Sequence, residues 1–195
     1  MLLKAISYIS KDEYLEMERN SEIRHEYYDG EIFAMAGGTP NHNRIVLNLA
    51  NLLNAGFAGR DCEAFVNDIR VQLDKDRHYA YPDVFAVCGE PEFADNRQDT
   101  IINPILIAEV LSDSTETYDR GLKFKAYQNI TSLKNYLLIR QDSVNVEYFF
   151  KEKDLWQSQE YRKTDDVIFL KSLGLSISVT EIYKRVLLKK VMFIR

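Results

Sequence analysis

The segment from Ile105 to Leu111 is apolar at every position but one, the pattern of a β-strand buried on both faces. The exception is Glu109. Desolvating a carboxylate costs several kcal/mol unless a partner compensates it, so an acid in such a strand needs a reason. It is half of a buried salt bridge, it escapes to water at a strand end, or it belongs to a functional site.

Around this strand the chain reads as a mixture of helices and strands. Ser10 followed by Glu13 is a capping box that opens a short helix through Glu18. Ile23 to Tyr28 and Glu31 to Ala36 flank Asp29-Gly30, a pair suited to the positive φ angles of a type I′ turn, and predict a β-hairpin. Gly37-Gly38 breaks that pattern, and Thr39 then caps a helix with Pro40 at its first position. Ile45, Val46, Leu49, Leu52, Leu53 and Phe57 give this helix its apolar stripe. Glu63 to Asn67, Ile69 to Leu73 and Val84 to Cys88 read as strands, with Asp74 to His78 as a turn. After the Glu109 strand come a polar break from Ser112 to Thr117 and a helix from about Tyr118 to Asn129. Tyr136 to Ile139, Val144 to Phe150, Trp156 to Tyr161 and Val167 to Leu170 are expected to be mostly antiparallel strands, and a last helix begins near Thr180. This order indicates α+β or α/β. With no repeat or linker, the 195 residues are expected to form one domain, 1–195.

No apolar run is long enough to span a bilayer, and the N-terminus lacks the order of a signal peptide, so a cytoplasmic protein is expected. Cys62 and Cys88, in strand-like segments, read as reduced core thiols rather than a disulfide or zinc site.

Asp83 gives Glu109 a possible companion. It follows Pro82 and opens a strand, whereas Glu109 lies near the end of the next one. Antiparallel pairing would bring the two carboxylates together at one end of the sheet, where they repel unless a hard cation with oxygen ligands joins them. On its own, Pro82-Asp83 would be an ordinary turn. Glu26 alternates with Arg24 and Tyr28, which suits either a solvated hairpin face or a metal-site role. Asp119, Lys123 and Tyr127 share one helix face. That face carries either a simple i, i+4 ion pair or a lysine aimed at the reacting groups, with Lys125 as second choice. His42, in the first turn of the long helix, reads as a surface or capping residue. The three histidines His25, His42 and His78 have no zinc-like spacing.

Taken in order, these pieces resemble one family. They are Arg24-His25-Glu26 with Asp29-Gly30-Glu31, Met35-Ala36-Gly37 with His42, and Tyr81-Pro82-Asp83-Val84. Glu109-Val110-Leu111-Ser112 with Thr115 follows, and then Asp119, Lys123 and Tyr127. The chain resembles the Uma-type restriction-endonuclease-like family of the PD-(D/E)XK nuclease superfamily over most of its length. The resemblance implies a restriction-endonuclease-like core, a mixed β-sheet flanked by helices, and metal-dependent hydrolysis of DNA. It also implies a site in which Asp83, Glu109 and the Val110 carbonyl hold Mg²⁺ or Mn²⁺, while Lys123 and Glu26 assist. The acid-x-Lys signature of the superfamily would place lysine at 111, where this chain has Leu111, and Lys123 on the following helix fits the family's alternative. Ser112-Asp113 replaces the usual serine-proline, and Asn135-Tyr136-Leu137 departs from the pattern as well.

The net charge of −5 runs against a nucleic-acid substrate, because proteins that grip phosphate backbones usually carry a basic face. A basic patch including Lys123 and Lys125 is therefore expected beside the acids. Two other functions compete: a catalytically weak or inactive binding or assembly module of the same fold, and a phosphodiesterase for smaller nucleotides. With 12 tyrosines and 10 phenylalanines, and Tyr148-Phe149-Phe150 in one strand, exposed aromatic surface and a two-fold homodimer are expected.

Overall fold

The computed structural model describes residues 8–188 apart from Ala36 and Ser114, so Ala36, the expected end of the hairpin, lies outside the described residues. Helix α1 (Lys11–Arg19) begins with the capping box, Ser10 and Glu13 satisfying each other's backbone amides. The hairpin of β1 (His25–Tyr28) and β2 (Glu31–Ala34) turns at Asp29 and Gly30, both at positive φ. Thr39 caps α2 (Pro40–Gly56) through the His42 amide.

Then follow β3 (Cys62–Val66), β4 (Arg70–Asp74), β5 (His78–Ala80), β6 (Val84–Cys88), β7 (Thr100–Ile101) and β8 (Leu106–Leu111). The expected single helix after β8 is composite. It runs as α3 (Glu116–Tyr118), a π-helical turn (Asp119–Lys123) and α4 (Phe124–Tyr127). The chain continues through β9 (Asn135–Arg140), β10 (Val146–Glu152), β11 (Leu155–Tyr161), β12 (Val167–Leu170), β13 (Leu175–Ser178) and α5 (Val179–Ile182).

The central sheet has the order β11-β10-β9-β8-β6-β3, a second sheet runs β2-β1-β5-β4-β7, and β12 and β13 form a third. The central sheet is mixed because β8 and β9 run parallel while their neighbours pair antiparallel. A parallel step needs a crossover, and α3, the π turn and α4 supply it. The strands from β9 onward are mostly antiparallel as expected, β9 having this one parallel neighbour.

All six residues of β8 are buried. Leu106, Ala108 and Val110 face the core shared with α2, while Ile107 and Leu111 face the one shared with α4 and β4. Alternation puts Glu109 on the second face, beneath α4. Tyr148 and Phe150 point into the first core and Phe149 packs against Phe124, so the aromatic strand expected to be exposed is covered. Its aromatics are therefore no sign of a dimer face. Cys62 and Cys88 stand directly opposite in the β3–β6 register and form a disulfide, which corrects the expectation of reduced thiols. Pairing across the sheet made neighbours of residues 26 apart in sequence. No helix among the described residues is long and apolar enough to cross a membrane.

Candidate active site

Val84 pairs with Ala108, so continuing the antiparallel register puts Asp83 opposite Glu109 and Pro82 opposite Val110. The two carboxylates meet at one end of the central sheet, and each reaches the other strand's backbone. Asp83 Oδ2 accepts the Val110 amide at 2.7 Å, and Glu109 Oε2 lies 3.4 Å from the Asp83 amide. Pro82 has no N–H, so it offers none to the Val110 carbonyl, where another residue would offer a ladder bond.

The π turn brings Lys123 under this pair. Its buried ammonium lies 3.0 Å from Glu109 Oε1, 2.7 Å from Glu26 Oε1 and 3.6 Å from Asp119 Oδ1. One turn on, the Tyr127 hydroxyl donates to Glu109 Oε1 at 2.6 Å. A π turn widens the helix by one residue and is often found at functional sites. Here Asp119, Lys123 and Tyr127 all face Glu109's neighbourhood, the face the helical spacing predicted. Leu111, where the superfamily signature has lysine, is buried in the core.

Glu26 is buried as well, and also accepts the Tyr81 amide at 3.3 Å. The solvated-face reading of this residue is therefore wrong. Both faces of β1 are covered, so Glu26 and Tyr27 are buried side by side and alternation carries no information there. Arg24 pairs elsewhere, with Asp68. Lys125 is exposed, turned away from the burial that holds Lys123.

His42 is the residue that sequence reasoning undervalued. From the first turn of α2 its Nε2 reaches Asp83 Oδ1 at 3.1 Å. Burial disfavours the imidazolium, but the hydrogen bond and charge of Asp83, with Asp119 beyond, outweigh it and raise the pKa. Its signals were its place at the start of α2 and its place in the family pattern, and nothing in the sequence tells which strand end that helix faces.

The electrostatics are those of a site short of positive charge. Glu26, Asp83, Glu109 and Asp119 surround Lys123 and His42. Burial drives Glu109 up to about 8; Lys123 opposes this, and the charges of Asp119, Asp83 and Glu26 add to it. Burial raises Asp119 too. Lys123 is held well above its ordinary value, because Glu109 and Glu26 outweigh its desolvation.

A divalent cation suits this donor set. Among the described residues, Asp83 Oδ2 is held by the Val110 amide and Glu109 Oε1 by Tyr127 and Lys123, which leaves Asp83 Oδ1 to His42 and Glu109 Oε2 to a long amide contact. Two such oxygens, a carbonyl opposite a proline and a surplus of negative charge are what a hard cation takes. Among the described residues, no group of three or more histidine, cysteine, aspartate or glutamate side chains stands ready as a metal cage. Backbone and water ligands would have to complete the shell.

Comparison with known proteins agrees with the fold. A crystal structure described as a "putative nuclease belonging to DUF820" from Anabaena variabilis superimposes with a TM-score of 0.76 at 19% identity, covering 92% of this chain and 99% of that one. "Uncharacterized protein slr1290" of Synechocystis sp. is 40% identical over 177 residues, which cover 90% of this chain and 92% of the relative. "Uncharacterized protein sll1609" of the same organism is 40% identical over 154 residues, covering 79% and 87%. The Uma2 family model, described as "Putative restriction endonuclease", matches residues 11–180, and the chain belongs to that family.

Proposed function

We propose that this protein is a divalent-metal-dependent nuclease that hydrolyses DNA phosphodiester bonds at the Asp83–Glu109 pair. The observation that carries the reading is the pair itself: two buried carboxylates locked opposite each other by strand register, with a lysine ammonium 3.0 Å from one of them. Asp83, Glu109 and the Val110 carbonyl would hold Mg²⁺ or Mn²⁺, which when bound supplies Lewis-acid stabilisation of phosphoryl oxygens and acidifies water.

The chain's own groups do the rest. Tyr127 fixes the Glu109 carboxylate, and His42 and the Val110 amide fix that of Asp83, so both are set before substrate arrives. Glu26 and Asp119 hold the Lys123 ammonium in place. Lys123 adds fixed positive charge where negative charge develops, and in a water-poor site such charge needs no reorganisation.

A plasmid-nicking assay with Mg²⁺ or Mn²⁺, paired with calorimetric titration of Mn²⁺, tests this. Asp83→Asn and Glu109→Gln should each lower nicking by about 100-fold or more and weaken Mn²⁺ binding, with folding retained. Undiminished nicking in both variants, or DNA binding without metal uptake or cleavage by the parent, would replace the catalytic reading with that of a binding module.

A further inference from the structure

The Uma2 chain carries an exposed phenylalanine beside this site. Phe33 lies directly opposite Glu26 in the β1–β2 register, so the two side chains share one face of the hairpin. Cross-strand partners stand roughly 5 Å apart at Cβ. Glu26 turns inward to Lys123, but Phe33 remains 44% exposed. Its ring centroid is 6.2 Å from that of Tyr118, and the Tyr118 ring centroid is in turn 5.8 Å from Lys123 Nζ. An aromatic surface therefore leads outward from the buried ammonium to solvent. Among the described residues β2 is the outermost strand of its sheet, and no further strand pairs with its far edge.

We propose that Phe33 is a base-stacking residue and that the substrate is a nucleic-acid strand whose bases are unpaired at the point of cleavage. The inference rests on the nuclease reading and adds the substrate class to it. Two observations favour an unpaired base over a paired duplex. First, duplex binding draws its affinity largely from Lys and Arg neutralising phosphates, and this chain has a net charge of −5 and a carboxylate-rich site. Single strands release fewer counterions per phosphate contact than a duplex, and stacking adds affinity that does not come from charge and is tolerant of sequence. Second, the exposed face of Phe33 is joined to the Lys123 cluster through the single ring of Tyr118. A base stacked inside a duplex cannot offer its face to a protein ring, whereas an unpaired one can.

The test uses the full chain and a short fluorescein-labelled single strand of mixed sequence, with the same strand annealed to its complement as control. Binding is read by fluorescence anisotropy with Ca²⁺ in place of Mg²⁺ or Mn²⁺. The parent should bind the single strand more tightly than the duplex. Phe33→Ala should weaken single-strand binding about 10-fold, within the range set by one stacked base, and leave duplex binding unchanged. Phe33→Tyr should bind like the parent, and Phe33→Leu should fall between, since it keeps apolar area without a ring. Melting curves and sedimentation run alongside. Equal single-strand affinity in Phe33→Ala overturns the proposal. So does sedimentation of the parent as a dimer and of Phe33→Ala as a monomer, which would make Phe33 an interface residue. Failure here is separable from failure of the nuclease reading. Tight, Phe33-dependent binding without cleavage removes only the catalysis, and cleavage indifferent to Phe33 removes only the stacking.

Discussion

Arg70 and Lys123 are both sealed from water, at 2% and 4% exposure, yet their surroundings are built on opposite plans. Arg70 lies 5.7 and 5.8 Å from the ring centroids of Tyr14 and Tyr81, donates to Thr100, and pairs with Asp99, a carboxylate half open to solvent. Aromatic faces do much of the work there, and one guanidinium nitrogen, Nη1, has no partner among the described residues. Burial opposes ionisation of Asp99, but Arg97 and Arg70 overcome it and hold the carboxyl down near 2. Around Lys123 the balance is reversed. Three carboxylates crowd one ammonium, and burial leaves Glu109 and Asp119 above their ordinary values. The Arg70 pair makes Asp99 a stronger acid, whereas the Lys123 cluster leaves Glu109 and Asp119 weaker ones. An excess of buried negative charge is unfavourable for folding alone, and it is the feature on which the proposed cation site rests.

The largest effect should come from removing the cation of the second cluster. Lys123→Met leaves Glu26, Glu109 and Asp119 without their shared partner and should destabilise the fold by about 3–5 kcal/mol, read by denaturant unfolding. A loss below about 1 kcal/mol would mean that the carboxylates already share protons and that Lys123 is not what holds them together.

Acidification sharpens the comparison next. His78, buried beside the Lys123 cluster, has its Nε2 3.0 Å from the Tyr118 hydroxyl, and burial, then the charge of Lys123, push its pKa down from 6.5 to about 4. Between those values the unfolded chain binds a proton that the native state refuses, so stability rises with pH across that window and is lost as pH falls through it. The loss should reach at most about 3 kcal/mol, and His78→Gln should flatten it. Unfolding curves from pH 7 to 4 that are superimposable for parent and variant would show that His78 stays hydrated.

The smallest effect belongs to the first cluster. Asp99→Asn should cost less than about 1 kcal/mol at neutral pH, because the Asp99 carboxylate is half exposed and solvent screens its pair. Its contribution is present above pH 4 and fades as pH falls toward 2. Nicking should be unchanged, and a variant that lost it would couple the two clusters.

Local signals in the sequence were reliable where the cause was local. The capping box at Ser10 and Glu13, the Asp29-Gly30 turn and the Thr39-Pro40 helix start all rest on backbone geometry that adjacent residues decide. The short strands β5, β7 and β13 were missed, since a few residues carry no period of their own and pair only because a neighbouring strand is present. The meeting of Asp83 and Glu109 was legible, because the two apolar strands that carry them pair antiparallel, with β7 between them in sequence joining the other sheet, and the two acids sat at matching ends. Glu26 was placed at the site by the family resemblance, its alternation suiting either reading, and His42 was left out of the site altogether. Each approaches from an element whose position the central sheet does not dictate, β1 on one side and α2 on another.

What the sequence determined by itself was the strand that must be buried on both faces and the acid inside it, because hydrophobic period and the cost of a buried charge are properties of the chain alone. The tertiary structure decided what surrounds that acid. A π turn aims Lys123 inward, a hairpin turns Glu26 toward it, and register sets Cys62 against Cys88. Those contacts join residues tens of positions apart, and their energies depend on burial and distance, quantities that exist only once the layers have packed.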